Sequence, residues 1–409
     1  MSTTPAPADP TTEESTEEKV GLDLRHQVRR IVQGDLASVR VVFGLALIWI
    51  IFQVQEPRFL SDQNLTNLML QITAIGLISV GIVYVLLLGE IDLSVGAVSG
   101  LCAAIMTVLN VKHGWSPYLA IAAGVASGAA IGCAQGFLFS RFNVPSFVVT
   151  LAGLLAWQGA LLQVLGQTGT INITDPKVVG LANIFYSKTV GWIMAIVVIV
   201  AYGLVAAWGF RNRVAAGLAD SNPIPVIFRF IVVAVTTIVA VVIFNGDRGV
   251  PLAVLIFLAF VVGMEFVVKR TGFGRHVFAV GGSDEAARRA GIRVNGVRIA
   301  VFTIAGAMAA VGGIMAASRL LAVNQGSGGN ELLLLAIAGP VIAGTSLFGG
   351  RGSVWTALLG ALVIGSISNG MDLLSLSSAV KFMVTGGVLL LAVLVDAIAK
   401  QQRQTRGRA

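Results

Sequence analysis

The feature that most constrains this chain is a series of apolar windows, each about long enough to cross a lipid bilayer. A membrane-spanning helix needs about 20 mostly apolar residues to cross a hydrocarbon core of about 30 Å, because unpaired backbone groups are too costly there. The first half contains six such windows: Ser38 to Gln53, Thr66 to Leu88, Val95 to Val111, Pro117 to Ser140, Ser146 to Gly166 and Val190 to Phe210. The second half contains six more: Val226 to Phe244, Val250 to Val268, Ile299 to Ser318, Glu331 to Leu347, Val354 to Met371 and Ala379 to Ala397. The sequence therefore predicts an all-α polytopic membrane protein with about 10–12 transmembrane helices.

Two of these windows are weaker than the rest. Those beginning at Val95 and Glu331 are short, and the second contains Pro340. Irregular backbone is tolerated at membrane depth only where it is buried in protein or lines a cavity. These two windows are therefore the candidates for broken or re-entrant helices.

The distribution of charge predicts the orientation of the chain. Only 12% of its 409 residues are charged, against roughly 25% in soluble proteins. The net charge is +8, and the basic residues are concentrated in alternate loops. If each window crosses the membrane in turn, 21 of the 28 basic residues fall on the same side of it. The positive-inside rule makes that side cytoplasmic. Both termini are expected in the cytoplasm. The chain as a whole is expected to contact a lipid bilayer and not nucleic acid.

The regions outside the windows divide the chain further. Residues 1–22 are polar, acidic and proline-containing, which is typical of a disordered tail. Residues 23–37 have the spacing of an amphipathic surface helix, with a plain basic flank as the alternative. The transmembrane domain is expected over 38–398, with one long cytoplasmic loop at 269–298 and a basic cytoplasmic tail at 399–409.

Sequence motifs for catalysis and metal binding are missing. No histidine pairs with cysteine or acids at metal spacing, and Cys102 and Cys133 lie far apart in predicted helices. No lysine is preceded by glycine, as a P-loop requires. We expect no metal, no cofactor and no enzymatic activity in this chain, so any ATP hydrolysis would belong to another chain.

Polar residues within or beside the windows are the candidates for a transport path. Carboxylates at membrane depth usually face a cavity or a partner, and Glu90 and Asp92 follow the second window. The alternatives are that Asp92 or Ser94 caps the next helix, or that both acids are solvated. Gln158 and Asn369 could bind a polar solute or join helices. Glu265 and Lys269 are expected to form an ion pair four residues apart.

A ladder of small residues predicts close helix packing in the fourth window. Glycines recur there at every fourth position, which lets another helix backbone approach closely. These helix-packing residues are Gly124, Gly128, Gly132 and Gly136.

The long inner loop predicts one short capped helix. Gly281 and Gly282 favour a turn, Ser283 or Asp284 can cap a helix, and Gly291 would end it. In addition, GEIDLSVGAVSGL from Gly89 and GGRGSVWTALLGAL from Gly349 form a weak internal repeat, of the kind found in transporters.

These motifs resemble the permease subunits of bacterial ABC importers for monosaccharides, the ribose and xylose type. The inner loop is similar to the E-A-A-x-x-x-G core of the importer coupling loop through Glu285, Ala286, Ala287 and Gly291. Glu90 to Gly96 reproduces the G-I-D-L-S-V-G block with Glu before Ile, as in the xylose branch, and the extra spans around Arg213 to Pro251 are similar to that branch too. Further similar blocks are VPSFVVTLAG, DRGVP, RTGFGRHVFAVGG, SRL and GTSLFGGRGSV.

The resemblance implies an importer of the bacterial inner membrane with several partners. Two permease copies would form the path, an extracytoplasmic sugar-binding protein would deliver the sugar, and two ATPase subunits would bind ATP and Mg below. The expected substrate is a monosaccharide, with xylose first. The alternatives are an ion-coupled secondary transporter, for which Glu90 or Asp92 would be the coupling carboxylate, or an ABC permease for ribose, a sugar alcohol, a nucleoside or a branched-chain amino acid.

Overall fold

The computed structural model describes residues 36–217 and 223–388, together with residues 390, 391 and 394. In its first half the elements are α1 (Leu36–Gln55), α2 (Asp62–Leu87), α3 (Val95–Thr107), α4 (Pro117–Phe142), α5 (Ser146–Leu165), β1 (Thr170–Asn172), α6 (Pro176–Asn183), β2 (Phe185–Tyr186) and α7 (Lys188–Ala215). They continue as α8 (Ile224–Gly246), β3 (Val250–Pro251), α9 (Leu252–Arg270), α10 (Gly272–Gly282), α11 (Asp284–Arg289), α12 (Val294–Leu320), β4 (Ala322–Asn324), α13 (Asn330–Ile342) and α14 (Trp355–Leu373). Residues 378–388 are also helical.

The helices confirm the prediction of an all-α polytopic membrane protein. Among the described residues, nine helices are long and apolar enough to cross a membrane, and two shorter apolar helices cover Val41–Gln55 and Glu331–Ile342. Each of the twelve predicted windows coincides with a helix, the last through residues 378–388. The short window at Val95 gains length because α3 continues as a π-helical turn, Val108–Lys112. The predicted tails, 1–22 and 399–409, and residues 23–35 of the predicted surface helix lie outside the described residues.

Helix α2 forms the centre of the bundle. Its side chains from Ile72 to Leu87 are all buried, and it contacts α8, α9, α12, α13 and α14. A helix that is apolar on every side can be stable only when neighbours surround it. The hydrophobic core therefore follows the length of α2.

The four ladder glycines of α4 lie against neighbouring backbones. Gly128 faces the backbone of α12 at Gly306, and Gly132 and Gly136 face it at Phe302 and Ile299. Gly124 lies against the backbone of α3 and a side chain of α12. Since all four have only hydrogen where another residue carries Cβ, α4 crosses α12 at a distance that larger residues would prevent.

The two ends of the bundle differ in structure. At one end β1 pairs antiparallel with β4, and β2 pairs antiparallel with β3. We call this end, which also carries α6, the β end. At the opposite end α10 packs beside the C-terminus of α2 and α11 packs on α10 and α12, and we call it the α10–α11 end.

Helices α7 and α8 form a hairpin at the periphery. They pack mainly on each other, and only α8 makes extensive contact with α2. Most of their large apolar side chains are exposed, among them Ile193, Leu204 and Val235.

Candidate functional site

The segment with the E-A-A-x-x-x-G pattern forms helix α11. Its N-cap is Ser283, whose hydroxyl accepts the backbone N–H of Ala286 at 3.3 Å. Ala287 is buried against the core, whereas Glu285 and Arg289 are exposed and form an i,i+4 ion pair of 2.9 Å. The helix therefore presents a charged face outward at the end of the bundle.

Gly291 ends this helix in a Schellman motif. Its φ is +81°, a left-handed conformation that glycine adopts without steric cost. The N–H of Gly291 donates to the carbonyl of Arg288, and the N–H of Ile292 donates to that of Ala287, both at 3.0 Å. The glycine of the motif thus has a local structural reason at this position.

The turn expected at Gly281 and Gly282 is wrong, because both residues are helical and end α10. A methyl group on Gly281 would lie 2.9 Å from the carbonyl carbon of Leu87 and from the nitrogen of Gly350. Gly281 is therefore needed for close contact between α10 and the end of α2. The segment 269–298 forms two packed helices and not one helix in a loop.

Residues Gly89 to Ser94 form a non-helical loop that reaches into the bundle before α3. The hydroxyl of Ser94 accepts a hydrogen bond from Nε2 of Gln135 on α4 at 3.0 Å. Gln135 lies seven residues before the end of α4, which corresponds to roughly 10 Å along the helix axis. The loop therefore extends inward from the α10–α11 end.

Asp92 organises this loop from a buried position. Asp92 is only 3% exposed. Its Oδ1 accepts hydrogen bonds from the backbone N–H and the hydroxyl of Ser94, at 2.8 and 2.7 Å. Burial raises the pKa of the Asp92 carboxyl, although the hydrogen bonds from Ser94 act in the opposite direction. Ser94 makes no capping hydrogen bond to α3 through its side chain, and Asp92 accepts hydrogen bonds only from Ser94 among the described residues, so neither of the expected side-chain caps is formed.

Helix α5 holds the same loop from the other side. The N–H of Ile91 donates to the hydroxyl of Ser146 at 3.4 Å, and that of Leu93 donates to Thr150 at 3.1 Å. Gly153, one turn further, leaves room for the amide of Gln135. The blocks GEIDLSVG and VPSFVVTLAG, far apart in sequence, are therefore in direct contact.

Glu90 is joined to α11 and α12 through an ion pair with Arg298. Its Oε1 lies 3.2 Å from Nη2 of Arg298 on α12, and the same Nη2 contacts the carboxylate of Asp284, the first residue of α11. The guanidinium also lies 5.2 Å from the ring centre of Phe139, within the range of a cation–π contact. One cation thus connects α11, α12 and the loop before α3.

The two halves of the weak internal repeat also meet. The backbone nitrogen of Gly350 donates to the carbonyl of Leu87 at 2.9 Å. A methyl group on Gly349 would lie 2.9 Å from the nitrogen of Gly89 and 2.6 Å from the carbonyl oxygen of Gly281. Three glycine-containing segments therefore converge on the end of α2.

The expected ion pair of Glu265 with Lys269 is absent from the described part of the chain. Glu265 accepts hydrogen bonds from the Ser353 hydroxyl at 3.0 Å and the Val354 N–H at 2.7 Å. Lys269 donates to the carbonyl of Gly352 at 3.0 Å. Both side chains hold the segment before α14, because its backbone groups need partners that neighbouring residues on α9 can supply.

The remaining candidates lie apart from this cluster. Asn369 of α14 exchanges two hydrogen bonds with Asn64 of α2, of 2.8 and 3.1 Å, so its amide joins two helices. Gln158 is exposed on α5 and has no hydrogen-bond partner among the described residues. The structure brings together Glu90, Asp92 and Ser94 but not Gln158 or Asn369.

Sequence reasoning missed Arg298 as a site residue. It counted only as one basic residue on a cytoplasmic flank. A usable signal was the presence of Glu90 at a span end, since a carboxylate there requires a partner cation. Gln135 and Gly153 were also missed, because their roles depend on helices crossing far from their own position.

Comparisons with known proteins agree with these motifs. A family model described as "Branched-chain amino acid transport system / permease component" matches residues 64–393. The chain is 37% identical over 352 residues to the xylose transport system permease protein XylH of Escherichia coli, covering 85% of this chain and 88% of that protein. It is 31% identical to the ribose import permease protein RbsC of Bacillus subtilis, covering 91% and 97%. It is 30% identical to the L-arabinose ABC transporter permease protein AraH of Azospirillum brasilense, covering 89% and 88%. No solved structure matches the chain.

Proposed function

We propose that this chain forms the membrane path of an importer for an aldopentose, with xylose as the preferred candidate. The premise is that the chain belongs to the family of ABC-importer permeases that includes these sugar permeases. The chain is a multi-pass transport subunit and not an enzyme. The support for xylose is the identity of 37% to a xylose permease, against 31% and 30% for the ribose and arabinose proteins. All three named sugars are aldopentoses, which defines the substrate class.

Separate subunits supply energy and substrate in this proposal. ATP and Mg bind to partner ATPase subunits that dock on the α10–α11 end, with Glu285, Ala286, Ala287 and Gly291 in the coupling segment. The exposed charged face of α11 and its fixed caps support this role. A sugar-binding protein delivers the sugar at the β end.

The α10–α11 end faces the cytoplasm, and both termini lie on that side. The support is the concentration of Arg and Lys on this side. Labelling tests it: in a Cys133→Ser background, Glu285→Cys should react with a membrane-impermeant maleimide in inside-out vesicles and not in right-side-out vesicles. Labelling in right-side-out vesicles alone would invert the topology.

A second permease copy completes the path. Its support is Gln158, which is exposed on a membrane-spanning helix and has no hydrogen-bond partner within the described part of the chain. A polar amide facing lipid is unfavourable, so such residues usually face a cavity or another helix. The loop with Glu90, Asp92 and Ser94 lies at the inner part of this path in our proposal, and Asn369 contributes through the α2–α14 contact.

Transport in proteoliposomes tests the function. A thermal-shift assay of the importer's own binding protein with xylose, ribose and arabinose first identifies the sugar that it binds. The chain is then reconstituted with that binding protein and the ATPase of the same importer. Labelled xylose should accumulate only with ATP and the binding protein present. Accumulation by the chain alone under a proton or sodium gradient would refute the ABC mechanism, and accumulation of ribose or arabinose but not xylose would change the assigned sugar.

A further inference from the structure

One arginine connects the coupling segment to the loop that begins α3. Arg298 lies on α12, which follows the coupling segment directly, and its Nη2 contacts both Asp284 of α11 and Glu90 of the loop. The two carboxylates belong to elements that lie 194 residues apart in the sequence (284 − 90). Arg298 is the shared partner that holds them together.

These charges are partly shielded from solvent. The side chains of Arg298 and Glu90 are 13% and 18% exposed, and that of Asp284 is 37% exposed. Phe139 covers one face of the guanidinium. Because partly buried pairs are screened little by salt, the loss of one partner leaves another charge uncompensated.

The hydrogen-bond pattern of Arg298 leaves it able to exchange partners. A guanidinium has five N–H donors, and a fork of two nitrogens can bind one carboxylate. Here a single nitrogen serves both acids, and the buried Nε has no partner among the described residues. Arg298 can therefore pair more fully with either acid when α11 and the loop move relative to each other.

The loop beyond Glu90 leads directly to the buried polar network. Two residues later, Asp92 accepts the hydroxyl of Ser94, and that hydroxyl accepts the side-chain amide N–H of Gln135 on α4. A displacement of Glu90 must change the backbone that carries Asp92. The contacts thus form a continuous connection from α11 to the first turn of α3.

We propose that Arg298 is a positioning residue that transmits movement of α11 to the Glu90–Ser94 loop during ATP-driven transport. This inference rests on the proposed function, since it requires an ATPase docked at α11. Arg298 acts through Glu90 and Asp284. Without Arg298 the ATPase still binds, but the binding protein no longer stimulates its ATP hydrolysis.

The test uses the complete importer in proteoliposomes with Arg298→Gln, Arg298→Lys, Glu90→Gln and the double variant Glu90→Gln, Arg298→Gln. Three quantities are measured: copurification of the ATPase, the melting temperature of the complex, and the stimulation of ATP hydrolysis by binding protein carrying the sugar identified above. Arg211→Gln is the matched control, because Arg211 is an exposed cation on the peripheral helix α7, outside α10 and α11, with no ion pair in the described residues.

We expect Arg298→Gln to keep its ATPase and to lose the stimulation by about tenfold or more, equivalent to at least about 1.4 kcal/mol of activation free energy. Arg298→Lys should restore part of the stimulation, and the double variant should be no worse than Arg298→Gln, because interacting residues are non-additive. Arg211→Gln should behave like wild type.

Stimulation at the wild-type level in Arg298→Gln, or additive losses in the double variant, would overturn the proposal. A loss that merely follows a fall in melting temperature or in copurified ATPase would also overturn it, since that is a structural role. Failure of the proposed function is distinct, because the wild-type complex would then show no ATP-dependent uptake at all.

Discussion

Replacement of Gly132 by alanine should destabilise the bundle through a single added methyl group. That methyl would lie 2.8 Å from the carbonyl carbon of Phe302 and 3.1 Å from Cα of Thr303, both backbone atoms of α12. Carbon atoms prefer separations of about 3.5–4.0 Å, so α4 and α12 must move apart by up to about 1 Å. A gap of this size forfeits about a quarter to a half of each dispersion contact along the crossing.

The magnitude follows from a comparison with a glycine in open space. Alanine is favoured over glycine by about 0.8–1.0 kcal/mol within a helix, and this gain applies equally to Gly263→Ala on α9. Gly263 has no atom within 4 Å of a built Cβ. The difference between the two variants is therefore the overpacking cost alone, about 1–3 kcal/mol, near its upper end because backbone cannot rotate away.

Thermal unfolding of the purified chain in detergent measures this difference. Gly263→Ala should unfold at or slightly above the wild-type temperature, and Gly132→Ala a few degrees below it. Equal melting temperatures for the two variants would refute the argument that α4 and α12 meet backbone to backbone.

Three further predictions concern single residues of the site. Asp92→Asn retains an acceptor for the Ser94 N–H and should assemble normally while impairing uptake. Asp92→Ala should also lower stability by about 1–3 kcal/mol in thermal unfolding. Normal uptake by Asp92→Asn would reduce Asp92 to a structural role in holding the loop. Asn369→Ala and Asn64→Ala should show a coupling energy of about 0.6–1.7 kcal/mol in a double-mutant cycle of unfolding, and a coupling near zero would contradict the reciprocal pair. Gly291→Ala should weaken copurification of the ATPase, because a residue with a side chain in the left-handed conformation costs roughly 1–2 kcal/mol. As a control, Gly282→Ala should copurify the ATPase normally, because its added methyl group meets no atom within 4 Å. Equal copurification by the two variants would argue against a need for the Schellman cap.

The spans and helix α11 could be predicted because their determinants are local. An apolar window satisfies its own backbone hydrogen bonds as a helix, and Ser283 and Gly291 supply both ends of α11 within nine residues. Nothing in these features depends on where another part of the chain lies. Their order along the sequence was therefore sufficient.

The errors have the opposite cause. Gly281 was expected in a turn, but its contact with Leu87 favours a helix that glycine alone would disfavour. Glu265 and Lys269 have the spacing of an ion pair, yet both bind the segment before α14. In each case a distant part of the chain supplies the partner, and spacing along one helix carries no information about it.

Two kinds of contact hold the α10–α11 end together, and they differ in what movement they permit. Gly281, Gly349 and Gly89 place backbone directly against backbone, so these segments cannot slide past one another without collision. The loop from Glu90 to Ser94 is held instead by side-chain hydrogen bonds and by the ion pair with Arg298. Such contacts can lengthen or exchange partners at a small cost in free energy. A force applied to α11 should therefore move α10 and the end of α2 as one body, and the loop before α3 is the element whose shape changes.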